Sequence, residues 1–296
     1  MIFIPFVIIT PFDTCCSFTA ARIERKRSRI IPTVKMKRIL INSIPENLPE
    51  EITKLISGAD IYDSSCSPEA RVYFIDRGCG YFLKISDTGS LKREAIMTEY
   101  FNKKGLSSKA VCYLSGERDY LITERVPGED LTHEDYLSNP KRLCVSLATK
   151  LRELHELDFS DCPVVDRVGE YLALADKNYR AGSYDKGSFP DSFGYSCEAD
   201  AYLALTEGRA KLKNEALIHG DCCLPNLIFD GWEFSGFIDL GNSGVGDRHI
   251  DIFWAIWTLW FNLETWEYTE LFFDTYGRDK IDIEKLKTIA AAEVFG

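Results

Sequence analysis

Residues Ala216 to Phe229 read Ala-Leu-Ile-His-Gly-Asp-Cys-Cys-Leu-Pro-Asn-Leu-Ile-Phe, and Phe234 to Gly241 read Phe-Ser-Gly-Phe-Ile-Asp-Leu-Gly. Two short apolar runs, Ala216–Ile218 and Leu227–Phe229, have the length and side chains of buried strands. Asp230-Gly231 between Phe229 and Trp232 is a hairpin-turn signal, so Trp232 to Ile238 is expected to return antiparallel to the second run. This order sets Asp221 in the loop before the hairpin and Asp239 at the end of its returning strand. The reading expects Asp221, Asn226 and Asp239 at one rim. Taken singly, His219 reads as a core histidine, Asn226 as a turn residue and Asp239 as a loop cap. As a spaced set among apolar flanks they read as chemistry.

The chemistry they fit is phosphoryl transfer. One carboxylate takes up the proton of an acceptor hydroxyl, and an amide and a second carboxylate hold the magnesium that bridges the phosphates. The kinase pattern has an Asp and an Asn with four residues between them, then a metal-binding Asp in a D-F-G turn. Here the triplets are His219-Gly220-Asp221 and Asp239-Leu240-Gly241. Such a reaction also needs a fixed cation. Val72–Ile75, a Gly78-Cys79-Gly80 turn and Tyr81–Ile85 read as a hairpin that puts Lys84 mid-strand among apolar neighbours, where a lysine must be paired or used. Ten residues on, Ser90 suits the N-cap of a helix running to about Lys104, with Glu94 one turn in as the ion-pair partner for Lys84.

These residues carry a resemblance. SPEARVYFI (67–75), YFLKIS (81–86), LKREAIMTEYF (91–101), DYLITERVPGEDL (119–131), LRELHELDFSDCP (151–163), the two stretches quoted first and the terminal AAEVFG resemble the aminoglycoside phosphotransferases, above all the 3′-phosphotransferases of kanamycin- and neomycin-type antibiotics. They span most of residues 60 to 296. The resemblance implies an α+β, bilobal protein-kinase-like fold with a small antiparallel β N-lobe and a mainly helical C-lobe. It implies ATP and Mg2+ as cofactors, a cytoplasmic enzyme, a polycationic small-molecule substrate and resistance to it. It also implies roles: Asp221 as catalytic base or hydroxyl-orienting carboxylate, Asn226 and Asp239 on magnesium, and Lys84 on the α- and β-phosphates with Glu94 fixing it. Ser67 would cap the β-phosphate from its short loop, and Phe82 would stack on adenine. Leu121–Val126 would be the hinge, the Glu124 carbonyl and Val126 N–H meeting the adenine edge.

For the acceptor, the hydrophilic stretch from Asn178 to Asp191 reads as a loop where relatives have an acidic antibiotic-binding loop. Asp185, Asp191 and Glu198 are the carboxylates expected to serve there, with Glu293 and Phe295 from the C-terminus. Three departures bear on the acceptor: Asn242 stands where relatives commonly have Arg, the terminal acidic pair is reduced to Ala292-Glu293, and Gly296 follows Phe295. Alternatives are therefore a kinase for another alcohol (a macrolide, choline or a sugar amine) and a non-catalytic pseudokinase. The intact Lys84, Glu94, Asp221, Asn226 and Asp239 count against the second.

Composition bounds the remainder. The 296 residues, 45% hydrophobic, can bury a sizeable core. A net charge of −11 excludes the basic footprint of a nucleic-acid binder and suits a polycation. The ten cysteines show no C-x-x-C and read as reduced thiols; Cys222 and Cys223, beside Asp221, are close enough to be reactive, yet nothing in the sequence suggests nucleophilic catalysis. Residues 1–35 are basic, with six Lys/Arg against two Asp/Glu. Their apolar start, Met1–Phe12, is too short to span a bilayer, and they are expected to be a disordered extension. Residues 36–127 are expected to form the N-lobe and 128–296 the C-lobe, in a monomer or weak dimer with no stable membrane association. Leu143, Leu147, Leu151 and Leu154 mark a buried helix face, His155 at its end reads as structural, and Asp247 and Asp251 as braces for the Asp221 loop.

Overall fold

The computed structural model describes residues 38–41, 44, 48–65, 70–184 and 194–296. The expected extension 1–35, Ser67, Asp185 and Asp191 lie outside the described residues. In chain order the elements are β1 (Ile39–Ile41), α1 (Glu50–Ile56), β2 (Asp60–Asp63), β3 (Arg71–Asp76), β4 (Tyr81–Asp87), α2 (Lys92–Lys103), β5 (Ala110–Ser115), β6 (Arg118–Glu124) and β7 (Glu129–Asp130). They continue with α3 (Glu134–Leu137), α4 (Pro140–His155), α5 (Arg167–Ala181), α6 (Glu198–Gly208), β8 (Ala216–Ile218), β9 (Leu227–Asp230), β10 (Glu233–Phe237) and β11 (Gly244–Gly246). Three helices finish the chain: α7 (Arg248–Leu263), α8 (Thr269–Tyr276) and α9 (Ile283–Glu293). No helix among the described residues is long and apolar enough to cross a membrane.

Two compact units result, one ending at Ser138 and taking in Leu224–Asn242, the other comprising Asn139–Cys223 and Ser243–Gly296. The division expected after residue 127 is thus displaced, and the hairpin β9–β10 joins the sheet-bearing unit. The cause lies in residues 128–138. β7 pairs with β9, and Tyr136 donates its hydroxyl to the Phe229 carbonyl at 2.9 Å. Gly128 makes that pairing possible: at φ +105°, a Cβ there would fall 2.1 Å from the Phe229 carbonyl oxygen.

In this sheet-bearing unit the antiparallel order is β1-β2-β3-β4-β6-β5. The hairpin expected from Val72–Ile75 and Tyr81–Ile85 is present, with Tyr73 opposite Leu83, and β5 pairs with β6, Tyr113 opposite Leu121. Alternation of side chains along the strands sorts the faces. Tyr73, Ile75, Leu83, Ile85, Tyr120 and Ile122 pack with Ile52 and Ile56 of α1. The opposite face carries Lys84 beside its cross-strand neighbour Leu121, and Leu121 packs on Leu91 and Ala95 at the start of α2. Strand parity therefore turns Lys84 toward α2.

The N-terminus of α2 corrects the sequence expectation. Ser90 donates its hydroxyl back to the Asp87 carbonyl at 2.6 Å and caps nothing. The helix begins at Lys92, and the Leu91 N–H is taken by the fully buried Asp119, 28 residues away on β6, at 3.0 Å. Asp119 also accepts the Tyr113 hydroxyl at 3.0 Å and the Ser115 hydroxyl at 2.6 Å. Removing that carboxylate strands three donors, so Asp119→Ala is expected to destabilise the chain by about 2–4 kcal/mol. A urea titration checks it; an unchanged midpoint would show that α2 does not depend on this anchor.

The helical unit is organised by α4. Leu143, Leu147, Leu151 and Leu154 form the buried stripe expected from their spacing. Each such side chain contributes about 1.5–3 kcal/mol by leaving water. The stretch expected to be a loop from Asn178 begins as helix. Asn178 to Ala181 complete α5, which stops at the left-handed Gly182. Tyr179 holds that last turn, stacking on Tyr202 of α6 with centroids 3.7 Å apart.

Candidate active site

In the sheet-bearing unit, the Lys84 ammonium lies 2.8 Å from Glu94 Oε2 and 2.8 Å from Asp239 Oδ1. Burial opposes its charge, but the Asp239 and Glu94 carboxylates hold it well above the ordinary lysine range. Glu94 is brought there by α2, which packs against the turn Leu240–Asn242; a Cβ on Gly241 would sit 3.7 Å from Glu94 Oε2. Phe237 fixes the approach, donating its N–H to the Leu106 carbonyl at 2.8 Å and meeting Phe101 of α2 edge-on at 6.0 Å. Asp239 itself adopts φ +58°. That left-handed conformation is tolerated by Asp better than by most residues, and it costs about 1–2 kcal/mol. It breaks β10 and turns the carboxylate toward Lys84.

Asn226 ends the 3₁₀ turn Leu224–Asn226, is buried, and accepts the Ile238 N–H on its carbonyl at 3.0 Å. This bond couples the strand carrying Asp239 to the residue carrying the amide. An amide oxygen and a carboxylate are hard oxygen donors of the kind Mg2+ takes, so these residues fit that ion. The carboxylate–imidazole group Glu215, Asp247 and His249, whose ligand atoms lie within 4.8 Å of one another, does not fit a metal. The Lys285 ammonium already stands 2.8 Å from Asp247 and 3.2 Å from Glu215.

Phe82 is half-buried on β4, 5.2 Å from Phe74, and the Arg38 guanidinium lies 3.9 Å from the Phe74 centroid and 5.8 Å from that of Phe82. Nothing in the sequence pattern singled out Arg38. Glu124 closes β6, its N–H donating to the Lys109 carbonyl at 2.9 Å. Val126 is buried, and a Cβ on Gly236 would meet it at 3.1 Å.

In the helical unit, Asp221 follows β8 on a loop gripped from below. The Asp251 carboxylate, fully buried on α7, accepts the His219 N–H and the Gly220 N–H, each at 2.7 Å. Gly220 adopts φ +83°, which bends the chain there at little steric cost. The Asp221 N–H points to His219 Nδ1 at 3.3 Å. Asp247 caps α7, accepting the His249 N–H at 3.0 Å, and takes the Lys213 N–H at 2.8 Å. Of the two expected braces, Asp251 holds the loop itself, whereas Asp247 at the same helix end holds Lys213 and His249.

Cys222 and Cys223 are close to Asp221 in sequence but are not exposed to react, in keeping with the absence of any sign of nucleophilic catalysis. Both are buried, and burial first, with the Asp221 charge adding to it, pushes both thiols well above their ordinary range. They are packing residues, not nucleophiles.

Of the acceptor-side residues described, Glu198 opens α6. Glu293 is half-buried, its Oε1 accepting the Tyr171 hydroxyl at 2.7 Å and the Trp254 indole N–H at 3.0 Å. Burial raises its carboxyl to about 7, the two donors oppose this, and the Asp221 charge adds to it. Phe295 is fully buried, edge-on to Tyr179, Tyr184 and Tyr202, and its carbonyl accepts the Asn178 amide at 2.7 Å. The ring anchors the C-terminus in an aromatic cluster instead of facing solvent.

The Glu293 shift has a definite sign. A carboxyl raised in the folded state lets the native chain bind the proton more tightly, so stability falls as pH climbs from the unfolded value near 4.5 to about 7. Glu293→Gln keeps the acceptor and removes the charge. It is expected to match the parent near pH 4 and to exceed it by about 2 kcal/mol at pH 8, after allowance for residual solvent screening. Melting temperatures across that range decide, and a constant difference would exclude the linkage.

An antiparallel sheet with a lysine–glutamate pair on one unit, and an H-G-D loop braced by a helix carboxylate on the other, define a kinase-like phosphotransferase. A model described as the phosphotransferase enzyme family matches residues 68–288. The probable aminoglycoside 3′-phosphotransferase of Lactococcus lactis subsp. lactis (strain IL1403) is 46% identical over 262 residues, 88% of this chain and 99% of that protein. The aminoglycoside 3′-phosphotransferase of Niallia circulans is 31% identical over 255 residues, 83% of this chain and 97% of its own. A crystal structure of an aminoglycoside-3′-phosphotransferase of type VIII superposes with a TM-score of 0.67 at 25% identity, covering 94% of this chain and 98% of the other. The chain belongs to the aminoglycoside 3′-phosphotransferases of the phosphotransferase enzyme family.

Proposed function

We propose that this protein transfers the γ-phosphoryl group of ATP, with Mg2+, to the 3′-hydroxyl of aminoglycoside antibiotics and so confers resistance to them. The observation that carries the reading is the Lys84 ammonium held at 2.8 Å by both Glu94 and Asp239. A half-buried cation fixed this way is preorganised for phosphate charge and needs no rearrangement as that charge shifts. Lys84 binds the α- and β-phosphates, and Glu94 keeps it aimed when Asp239 turns to metal. Asn226 and Asp239 would hold Mg2+, which neutralises charge on the phosphate oxygens when bound. Asp221 orients the acceptor hydroxyl and takes its proton as the O–P bond forms.

Phe82 supplies the ring for adenine, and the Glu124 carbonyl and Val126 N–H its edge contacts. Ser67 is assigned to the β-phosphate, and Asp185, Asp191, Glu198 and Glu293 to the drug's ammonium groups. A chain of net charge −11 attracts a polycation. The protein acts as a monomer or weak dimer in the cytoplasm, where ATP is.

Coupled ADP release with Mg-ATP, kanamycin, neomycin and their 3′-deoxy analogues tests this. Turnover of kanamycin and neomycin without turnover of the 3′-deoxy compounds is the expected result. Turnover of choline or a macrolide alone would overturn the drug assignment while keeping the kinase.

A further inference from the structure

A chain of buried polar groups runs from the Asp221 loop into the helical core, and the roles assigned above leave its inner half unused. His155, the last residue of α4, is shielded from solvent along its whole side chain. Its Nε2 lies 3.1 Å from Asp251 Oδ2, and its Nδ1 lies 2.7 Å from the Tyr276 hydroxyl at the end of α8. Asp251 Oδ2 is the oxygen that accepts the His219 N–H, while Oδ1 accepts the Gly220 N–H. Three donors thus converge on one carboxylate, two from the catalytic loop and one from His155.

The tautomer follows from the partners. Asp251 only accepts, so Nε2 carries the hydrogen toward it, and in the neutral ring Nδ1 accepts from the Tyr276 hydroxyl. Burial disfavours the charged ring, with Arg248 and His249 also opposing it, against the pull of Asp251. Arg248 stands 3.5 Å behind the Tyr276 hydroxyl.

We propose that His155, oriented by Tyr276, is a positioning residue for phosphoryl transfer: it fixes the rotation of the Asp251 carboxylate and thereby the place of the loop that carries Asp221. The physical ground is the cost of a buried carboxylate that loses a donor. Without the Nε2–H, Asp251 can satisfy itself only by turning, and each turn moves the His219 and Gly220 amides bound to it. A displacement of about 1 Å at the reacting group costs about 100-fold in rate.

This inference rests on the phosphotransfer reading of Asp221, and the test separates the two. ADP formation from Mg-ATP is measured with kanamycin and with water as sole acceptor, for the parent, His155→Leu, His155→Gln and Tyr276→Phe. The parent hydrolysing ATP but ignoring kanamycin overturns the drug reading alone, and the variants are then judged on hydrolysis. His155→Leu is expected to lose about 10- to 100-fold in kcat, with KM for ATP and acceptor within about 2-fold. His155→Gln, whose amide donates to Asp251 and accepts from Tyr276, is expected to recover most of that loss, and Tyr276→Phe to show a smaller one. Amide exchange of the 217–223 peptide should quicken in the Leu variant and return toward the parent in the Gln variant. If His155→Leu does not fold, the Gln and Tyr276→Phe variants carry the test through the same kcat-against-KM split. Unchanged kcat in every folded variant, or equal losses in Leu and Gln, overturns the proposal.

Discussion

Asp221→Ala is expected to cut kcat by about 10²–10⁴-fold while leaving ATP affinity within a few-fold of the parent. The separation follows from where the chain puts its labour. Lys84, Glu94, Asn226 and Asp239 all lie in the unit that ends at Ser138 and takes in Leu224–Asn242, whereas Asp221 lies in the other. In the proposed reaction the first group meets the nucleotide's charge and Asp221 the acceptor proton. Deleting a carboxylate also lightens the electrostatic load on Glu293, which feels the Asp221 charge. The variant should therefore fold at least as well as the parent. Calorimetric ATP titration beside steady-state kinetics measures both halves. A variant that turned over at the parental rate would remove Asp221 from the chemistry.

The second large effect is expected at Asp239. Asp239→Ala takes away the proposed magnesium donor and one of the two carboxylates that hold Lys84 at 2.8 Å. Loss of a charge that stabilises the transferring group costs about 10²–10³-fold, and here metal and lysine are disturbed together. The lysine keeps Glu94, also at 2.8 Å, so the fold is expected to survive. The substitution also forces a residue less tolerant of φ +58° into the turn, at about 1 kcal/mol. Rates followed against Mg2+ concentration give the signature: a fall in the plateau together with a higher Mg2+ requirement. A fall in the plateau alone, at unchanged Mg2+ requirement, would deny Asp239 a ligand role.

Much of this was legible in the chain because it rests on local rules. The Asp230-Gly231 turn fixes the hairpin that carries Asn226 and Asp239, and period-2 alternation through Tyr81–Ile85 puts Lys84 on one face. The four-residue recurrence of Leu143, Leu147 and Leu151 marks the buried side of α4. Features set by distant partners were not legible. Ser90 has the right chemistry for a cap, but Asp119, adjacent only through sheet pairing, wins the Leu91 N–H because it is buried and already oriented by Tyr113 and Ser115. Asn178 to Ala181 looked like loop because Gly182 and Ser183 follow, yet a stack between Tyr179 and Tyr202 keeps them helical. The boundary after 127 missed the hairpin's allegiance, since nothing near Gly128 announces a strand partner a hundred residues on. Residues that hold Glu293, Tyr171 and Trp254, carry no motif at all.

Cys222 and Cys223 bear on how this enzyme could be stopped. They are the thiols nearest in sequence to the catalytic carboxylate, the obvious anchors for an electrophilic warhead aimed at restoring drug sensitivity. Burial and the neighbouring negative charge keep both as unreactive thiols. A warhead meets them only after the loop opens, so a covalent inhibitor gains nothing from their proximity. Among the described residues Cys79, in the turn before Lys84's strand, is an exposed thiol.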